Sequence, residues 1–380
     1  MPKIHIPPFK SRLTRLLLLL LALVPLAAMA AMETSDFTYA RNLKIEHFPT
    51  HRLITVWNVN RDSQQRFHYA LVPKGQRVPP LPQQTIVVRT PVQRVIVMST
   101  TFIGYIDALN GLEHLIGASN PELINHPQVR AQVAAGHTRG VQSGQSMDIE
   151  SILLLQPDLI LASSSGNPQY DIHPQLLRSG LPVVLSADYM EPHPLARSEW
   201  LRFVAAFFDA GPRAESIFTG IAQRYHQMKT RAQAVSVRPK VFCNATYSGN
   251  WNMPGGRSYT AQAIADAGGD YLWAENNATG SLPMDLERIF AKAADADIWL
   301  NPNNYQTMAQ LLAADQRYAK FAATQKGAVY NNCKQINAQG GNNIWERGVV
   351  HPDEVLADLI KIFHPSLMAE QQFNFYQQLH

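Results

Sequence analysis

Short apolar runs alternate with amphipathic stretches along most of this chain. Residues 94–98, 115–118, 159–162 and 181–185 read as buried strands, and Phe102, Ile106 and Leu109 recur at helical spacing between the first two. The same alternation resumes after residue 240, with strands at 240–243, 298–300 and 329–330 and helices at 258–267 and 355–363. Strands separated by helices predict parallel sheets covered on both faces. One unit occurs twice. Residues 147–163, MDIESILLLQPDLILAS, and 284–301, MDLERIFAKAADADIWLN, both open Met-Asp-aliphatic-Glu. Each runs through a short apolar helix, reaches an Asp (Asp158, Asp297) and ends in a strand. A unit used twice predicts two related α/β lobes with parallel sheets.

Between the lobes, Ala214, Ile217, Phe218, Ile221, Tyr225, Met228 and Ala232 form a stripe of helical period. Pro239 forbids its continuation, so a single long helix joins the halves. A helix is also expected over 198–209, with Gly211-Pro212 as its punctuation. Ahead of the first lobe, residues 53–57 and the alternation of Phe67, Tyr69 and Leu71 with His68 and Ala70 read as strands. They predict a hairpin added to the first lobe's edge. The expected organisation is a leader over 1–30, a β-rich lead-in over 31–91, an N-terminal lobe over 92–210, a linking helix over 211–237 and a C-terminal lobe over 238–380.

The leader changes the charge picture. Lys3, Lys10, Arg12 and Arg15 precede an apolar run at 16–26, and Ala28-Met29-Ala30 supplies small residues for cleavage after Ala30. The apolar run is shorter than the roughly 20 residues of a spanning helix. No Cys lies near the cut to carry a lipid, so a soluble periplasmic protein is expected. The chain has 33 Lys+Arg and 29 Asp+Glu; four of those bases and none of the acids fall in the leader. The sequence pI of ≈ 9.0 therefore belongs to the leader, and a nucleic-acid footprint, which needs clustered surplus base, is excluded.

Ligands of parallel sheets gather at the carboxyl ends of the strands, and there the chain places hydroxyls, aromatics and arginines. Thr100 and Thr101 follow the first strand, Ser163 to Ser165 the third, and Tyr189 the fourth, with Arg197 close behind. In the second lobe come Trp251, Arg257 and Tyr259, then Trp345 and Arg347 in a Gly-Asn-rich loop. Aromatics beside Arg and Asn suit a large ligand with flat apolar and anionic parts, although each such residue taken singly could equally cap a core. Gly255-Gly256 could offer backbone N–H groups to an anion. G-x-S-x-G, H-E-x-x-H and Walker sequences are absent, and the histidines show no ligand spacing, so neither catalysis nor a resident metal is indicated. Cys243 and Cys333 are read as either a disulfide or two buried thiols. Glu150 and Glu287 are first-turn acids of the repeated helices; their equivalence also places one acid on each lobe, fit to meet bases on a two-fold partner.

These segments together resemble the periplasmic substrate-binding proteins of ABC importers, in the subgroup joined by one rigid helix that serves ferric siderophores, haem and cobalamin. The resemblance runs over about residues 92–365, strongest in the helix–strand unit with its QPDLIL exit, with WNMPGGRSY, NNIWERGVVHPD and EPHPLARSEW resembling an iron-complex branch. It implies a non-catalytic, monomeric binder that holds a ferric chelate, or else cobalamin or haem, between its lobes. It implies delivery to a permease dimer with its ATPase, Glu150 and Glu287 meeting permease arginines. A disulfide within the second lobe, found in some cobalamin binders, favours Cys243–Cys333. The Ala294-Asp295 turn, where the first copy has Gln156-Pro157, departs from the pattern. The rival class is an enzyme acting on a chelate, which turnover would reveal.

Overall fold

The computed structural model describes residues 33–60, 63–143, 146–164 and 173–380. The expected leader with its cleavage point, and Ser165, lie outside them. The lead-in contributes β1 (Glu33–Thr34), β2 (Leu43–His47), β3 (Arg52–Val56), β4 (Phe67–Pro73) and β5 (Ile86–Thr90), which form a five-stranded sheet of their own in that order. The lead-in is therefore not a hairpin on the edge of the first lobe's sheet. It shares a hydrophobic core with the first lobe, and two buried carboxylates hold its first loop. Glu199 accepts the backbone N–H groups of Thr38, Tyr39 and Ala40 at 2.8–2.9 Å, and Glu191 those of Arg41 and Asn42 at 3.0–3.1 Å. On the far side, the backbone N–H of Leu185 donates to the Tyr69 hydroxyl at 2.9 Å.

The first lobe is built on β6 (Val95–Val97), β7 (Leu115–Ser119), β8 (Arg139–Ser143), β9 (Ser146–Met147), β10 (Leu159–Ser163) and β11 (Val183–Ser186), in the order β11-β10-β6-β7-β8-β9. All pairings are parallel except that of β9. The second lobe contributes β12 (Lys240–Cys243), β13 (Thr246–Tyr247), β14 (Asn250–Pro254), β15 (Asp270–Tyr271), β16 (Ser281–Met284), β17 (Ile298–Leu300), β18 (Val329–Asn331) and β19 (Gln377–Gln378). Its main sheet runs β15-β12-β17-β18-β19, parallel but for β19. The central orders match, β11-β10-β6-β7 against β18-β17-β12-β15. The duplicated sequence unit thus feeds equivalent strands, β10 and β17, beside the first strand of each lobe.

The repeated residues do the same local work twice. Asp148 and Asp285 are the N-caps of helices Ile149–Leu155 and Leu286–Ala293, accepting from the N–H of Ser151 and of Arg288, each at 2.8 Å. Such caps are worth about 1 kcal/mol each. Asp158 and Asp297 each accept a backbone N–H at the entrance of the neighbouring first strand, from Gln93 at 2.8 Å and Lys240 at 3.0 Å. The Met-Asp-aliphatic-Glu signature is a capping signal, and the later Asp fixes strand order.

The lobes are joined by the helix Gly211–Gln233, which buries Ala214, Phe218, Ile221, Tyr225 and Ala232 and spans about 34 Å. The expected single helix over 198–209 is two, Pro194–Glu199 and Leu201–Phe208, sharing Trp200 at the break. Cys243 and Cys333 are both buried free thiols in this structure, so the disulfide reading is not met. Cys243 ends β12, whereas Cys333 lies two residues beyond β18, on the other side of β17.

Candidate functional site

A cavity of ≈ 680 Å³ lies between the lobes at the carboxyl ends of the strands. The first lobe supplies Tyr189 and Met190 from the turn after β11. The second supplies most of the wall: Asn244 after β12, Asn301, Asn303 and Asn304 after β17, and Asn332 after β18. Tyr259 and the 43%-exposed indole of Trp345 add aromatic surface. Asn244, Asn301 and Asn303 have φ of 67°, 54° and 49°, a left-handed conformation that asparagine tolerates. The chain reverses there, which brings these side chains to the strand ends.

Beneath the cleft a smaller cavity of ≈ 90 Å³ is lined by Arg197, Tyr259, Asn301 and Trp345 among others. Arg197 is buried, pairs with Asp188 at 3.0 Å and lies 4.6 Å from the ring centre of Tyr259. Burial works against its charge, yet Tyr259, Asp188 and Tyr105 outweigh that and hold the guanidinium above its ordinary value. The Ser186 hydroxyl donates to the other oxygen of Asp188 at 2.7 Å.

Behind the cleft the lobes are stitched together. The backbone N–H groups of Asn125 and His126 donate to Glu346 at 2.7 and 3.0 Å. Burial pushes the Glu346 carboxyl up to about 7, against the pull of those two N–H groups. A Cβ on Gly104 would fall 2.1 Å from the Glu346 carbonyl oxygen, and one on Gly341 would fall 1.9 Å from that of Leu123. Only glycine permits either approach.

The structure places the expected site residues unevenly. Tyr189, Tyr259 and Trp345 line the cleft, and Arg197 lies just below it. Thr100 and Thr101 begin the helix Thr101–Ala108 and are not among the lining residues. Trp251 does not reach the cleft. It is fully buried on β14, stacks with Phe242 and Trp299, and donates its Nε1–H to the Cys243 carbonyl at 2.8 Å. Strands β13 and β14 pair with β16 in a small sheet, and the alternation along β14 sends Trp251 inward. Arg257 is exposed and bonded to Asn277. Arg347 grips Glu354 and faces a separate cavity behind the cleft. Gly255 and Gly256 meet backbone carbonyls at Ala278 and Asn276, so close packing, rather than an anion, accounts for them. Glu150 and Glu287 are both exposed; Glu287 lies 3.5 Å from Arg317. Asn342 lies in a loop the sequence reading singled out, but Asn244, Asn301, Asn303, Asn304 and Asn332 were passed over, although Asn-Pro-Asn-Asn at 301–304 follows directly on a strand.

A family model described as Periplasmic binding protein matches residues 95–334, well over half of the chain. The chain belongs to this family. Like other periplasmic binding proteins it is a binder rather than a catalyst, and the matched span holds both lobes' first strands and the linking helix. Among relatives, the uncharacterized lipoprotein MJ0878 of Methanocaldococcus jannaschii is 25% identical over 367 residues, covering 90% of this chain and 85% of that protein. The Fe(3+) dicitrate-binding periplasmic protein FecB of Escherichia coli is 24% identical, covering 73% and 86%. Among solved structures, a periplasmic heme binding protein from Pseudomonas aeruginosa shares the fold with a TM-score of 0.55 at 20% identity, over 72% of this chain and 94% of that one. Among the described residues, no cluster of His, Cys, Asp or Glu could hold a metal ion, and no helix is long and apolar enough to cross a membrane.

Proposed function

We propose that this periplasmic binding protein captures a metal chelate, of ferric siderophore type, in the inter-lobe cleft and delivers it to the permease of an ABC importer. The observation that carries this is the cleft itself: ≈ 680 Å³ falls in the range of small-molecule sites, about 300–1,000 Å³. Tyr189, Tyr259 and Trp345 give it aromatic surface. FecB is named for a ferric complex, and the Pseudomonas structure for haem. Haem is the less favoured cargo, because no His lines the cleft among the described residues. The Tyr189 hydroxyl, moreover, donates to the carbonyls of Val59 and Ser164.

In this reading the protein acts in the periplasm after removal of its leader, as a monomer, with Glu150 and Glu287 as its contacts to the two permease subunits. Protein purified from its native periplasm should carry the absorption spectrum of its cargo, and titration with that cargo should quench tryptophan fluorescence saturably. Turnover of the chelate instead of stoichiometric binding would replace this reading with an enzymatic one.

A further inference from the structure

Resting on the proposed role as a chelate carrier, we infer that the cleft selects a chelate of zero net charge that is fringed with hydrogen-bond donors, such as carboxamides or hydroxyls, and discriminates against anionic chelates. The wall decides this. Six asparagines line the cavity, Asn244, Asn301, Asn303, Asn304, Asn332 and Asn342, together with seryl and threonyl hydroxyls, and no Asp, Glu, Lys, Arg or His is among the described residues that do. An anionic chelate entering such a cavity would shed its hydration without meeting a cation, which is costly. The cation below the cleft, Arg197, is already neutralised by Asp188 at 3.0 Å. Arg257 and Arg347, which composition alone would offer to an anion, are held by Asn277 and Glu354 outside this wall.

The asparagines are also oriented by the fold. Asn244 donates its Nδ2 to the Asn252 carbonyl at 2.5 Å, Asn303 to that of Thr246 at 3.0 Å, and Asn342 to that of Asn332 at 2.9 Å. Asn244 and Asn303 each spend one of their two Nδ2 donors inside the protein in this way and keep Oδ1 as an acceptor. The Asn301 Oδ1 is buried with no partner among the described residues. A wall rich in amide acceptors is complementary to N–H and O–H donors. To carboxylates it offers neutral amide and hydroxyl donors but no cation to offset their lost hydration. Trp345 and Tyr259 supply the flat apolar surface on which a macrocycle or chelate face can lie.

The test compares chelates by charge. Tryptophan fluorescence titrations of the mature protein would use cyanocobalamin and a neutral ferric trihydroxamate on one side, and ferric dicitrate and haemin on the other, at about 50 and 500 mM salt. The expected result is binding of at least one neutral chelate, indifferent to salt, with the anionic ones at least about tenfold weaker. Anionic chelates binding as tightly, with affinity falling as salt rises, would overturn the selectivity and leave the carrier role standing. Failure of all four to bind would overturn both. Asn304→Arg, at an exposed wall position, should raise affinity for ferric dicitrate about tenfold. No rise, in a variant with unchanged melting temperature, would count against the wall as the source of the discrimination.

Discussion

Arg197 of the first lobe sits 4.6 Å from the ring centre of Tyr259 of the second, so one cation–π contact spans the floor of the cleft. Arg197 also neutralises Asp188, which is 2% exposed. The two partners therefore predict different outcomes. Arg197→Ala strands a buried carboxylate and should cost about 3–5 kcal/mol. Tyr259→Ala removes about 1–2 kcal/mol of cation–π attraction and part of the cleft surface, so it should weaken ligand binding while the fold survives. Urea melts and fluorescence titration of the two variants separate these effects; equal loss of stability in both would contradict this division of roles.

Two tryptophans that look alike in sequence should behave oppositely. Trp251 lies in the cluster with Phe242, Trp299, Tyr318 and Phe321, and Trp251→Ala should cost about 3–5 kcal/mol. Trp345 is 43% exposed in the cleft, and Trp345→Ala should cost less than about 1 kcal/mol while abolishing much of the ligand-induced quenching. Quenching retained in Trp345→Ala would place the ligand elsewhere.

That contrast marks how far the sequence could be read. The periodicity of residues 94–98, the repeated Met-Asp-aliphatic-Glu unit and the stripe from Ala214 to Ala232 led directly to two lobes and a linking helix. Each depends only on local spacing, and the structure follows it. The small sheet β13-β14-β16 was not legible, because β14 pairs with β16 some thirty residues later, and only that pairing decides which way Trp251 points. Arginines were overvalued for a similar reason: whether a guanidinium is available depends on its partners, and Asp188 and Glu354 become neighbours only in the fold. The asparagine wall was hidden because turn chemistry and ligand contact ask for the same residue.

The lobe junction should respond to pH through Glu346. Burial raises its carboxyl from the ordinary value of 4.5 to about 7, so the folded state binds the proton more tightly than the unfolded chain. Its contribution is complete below about pH 4.5 and is lost as pH rises through about 7. A shift of this size corresponds to roughly 3 kcal/mol at most. Glu346→Gln does not titrate there. Relative to wild type, it should gain up to that amount in urea-denaturation stability between pH 4.5 and 8. A parallel pH dependence in both proteins would show that Glu346 does not titrate across the junction.

The two thiols should be silent in the native protein. Cys243 is fully buried and Cys333 3% exposed, and burial pushes both thiols above their ordinary value. The thiolate is the reactive form, so a thiol reagent should label neither until denaturant is added, and then both. Gel mobility should be the same with and without reductant. Loss of both labels in denaturant without reductant, or a mobility shift, would reveal a bridge between them.

Glu150 and Glu287 occupy equivalent first turns on the two lobes, yet their surroundings differ. Glu287 has Arg317 at 3.5 Å, an arginine that also grips Asp315, whereas Glu150 shares its helix with Leu153 and Leu154, 47% and 73% exposed. If both acids dock onto permease bases, replacing both with Ala should abolish uptake in cells and leave the affinity of the purified protein unchanged, because neither touches the cleft. Exposed ion pairs within one chain are weak because water and salt screen them, so a partner's base can displace the tie to Arg317. Removing that tie with Arg317→Ala should therefore leave uptake intact or raise it slightly. Lost ligand affinity in the double variant would place these glutamates in the binding machinery instead, and uptake abolished by Arg317→Ala alone would mean that the arginine itself meets the partner.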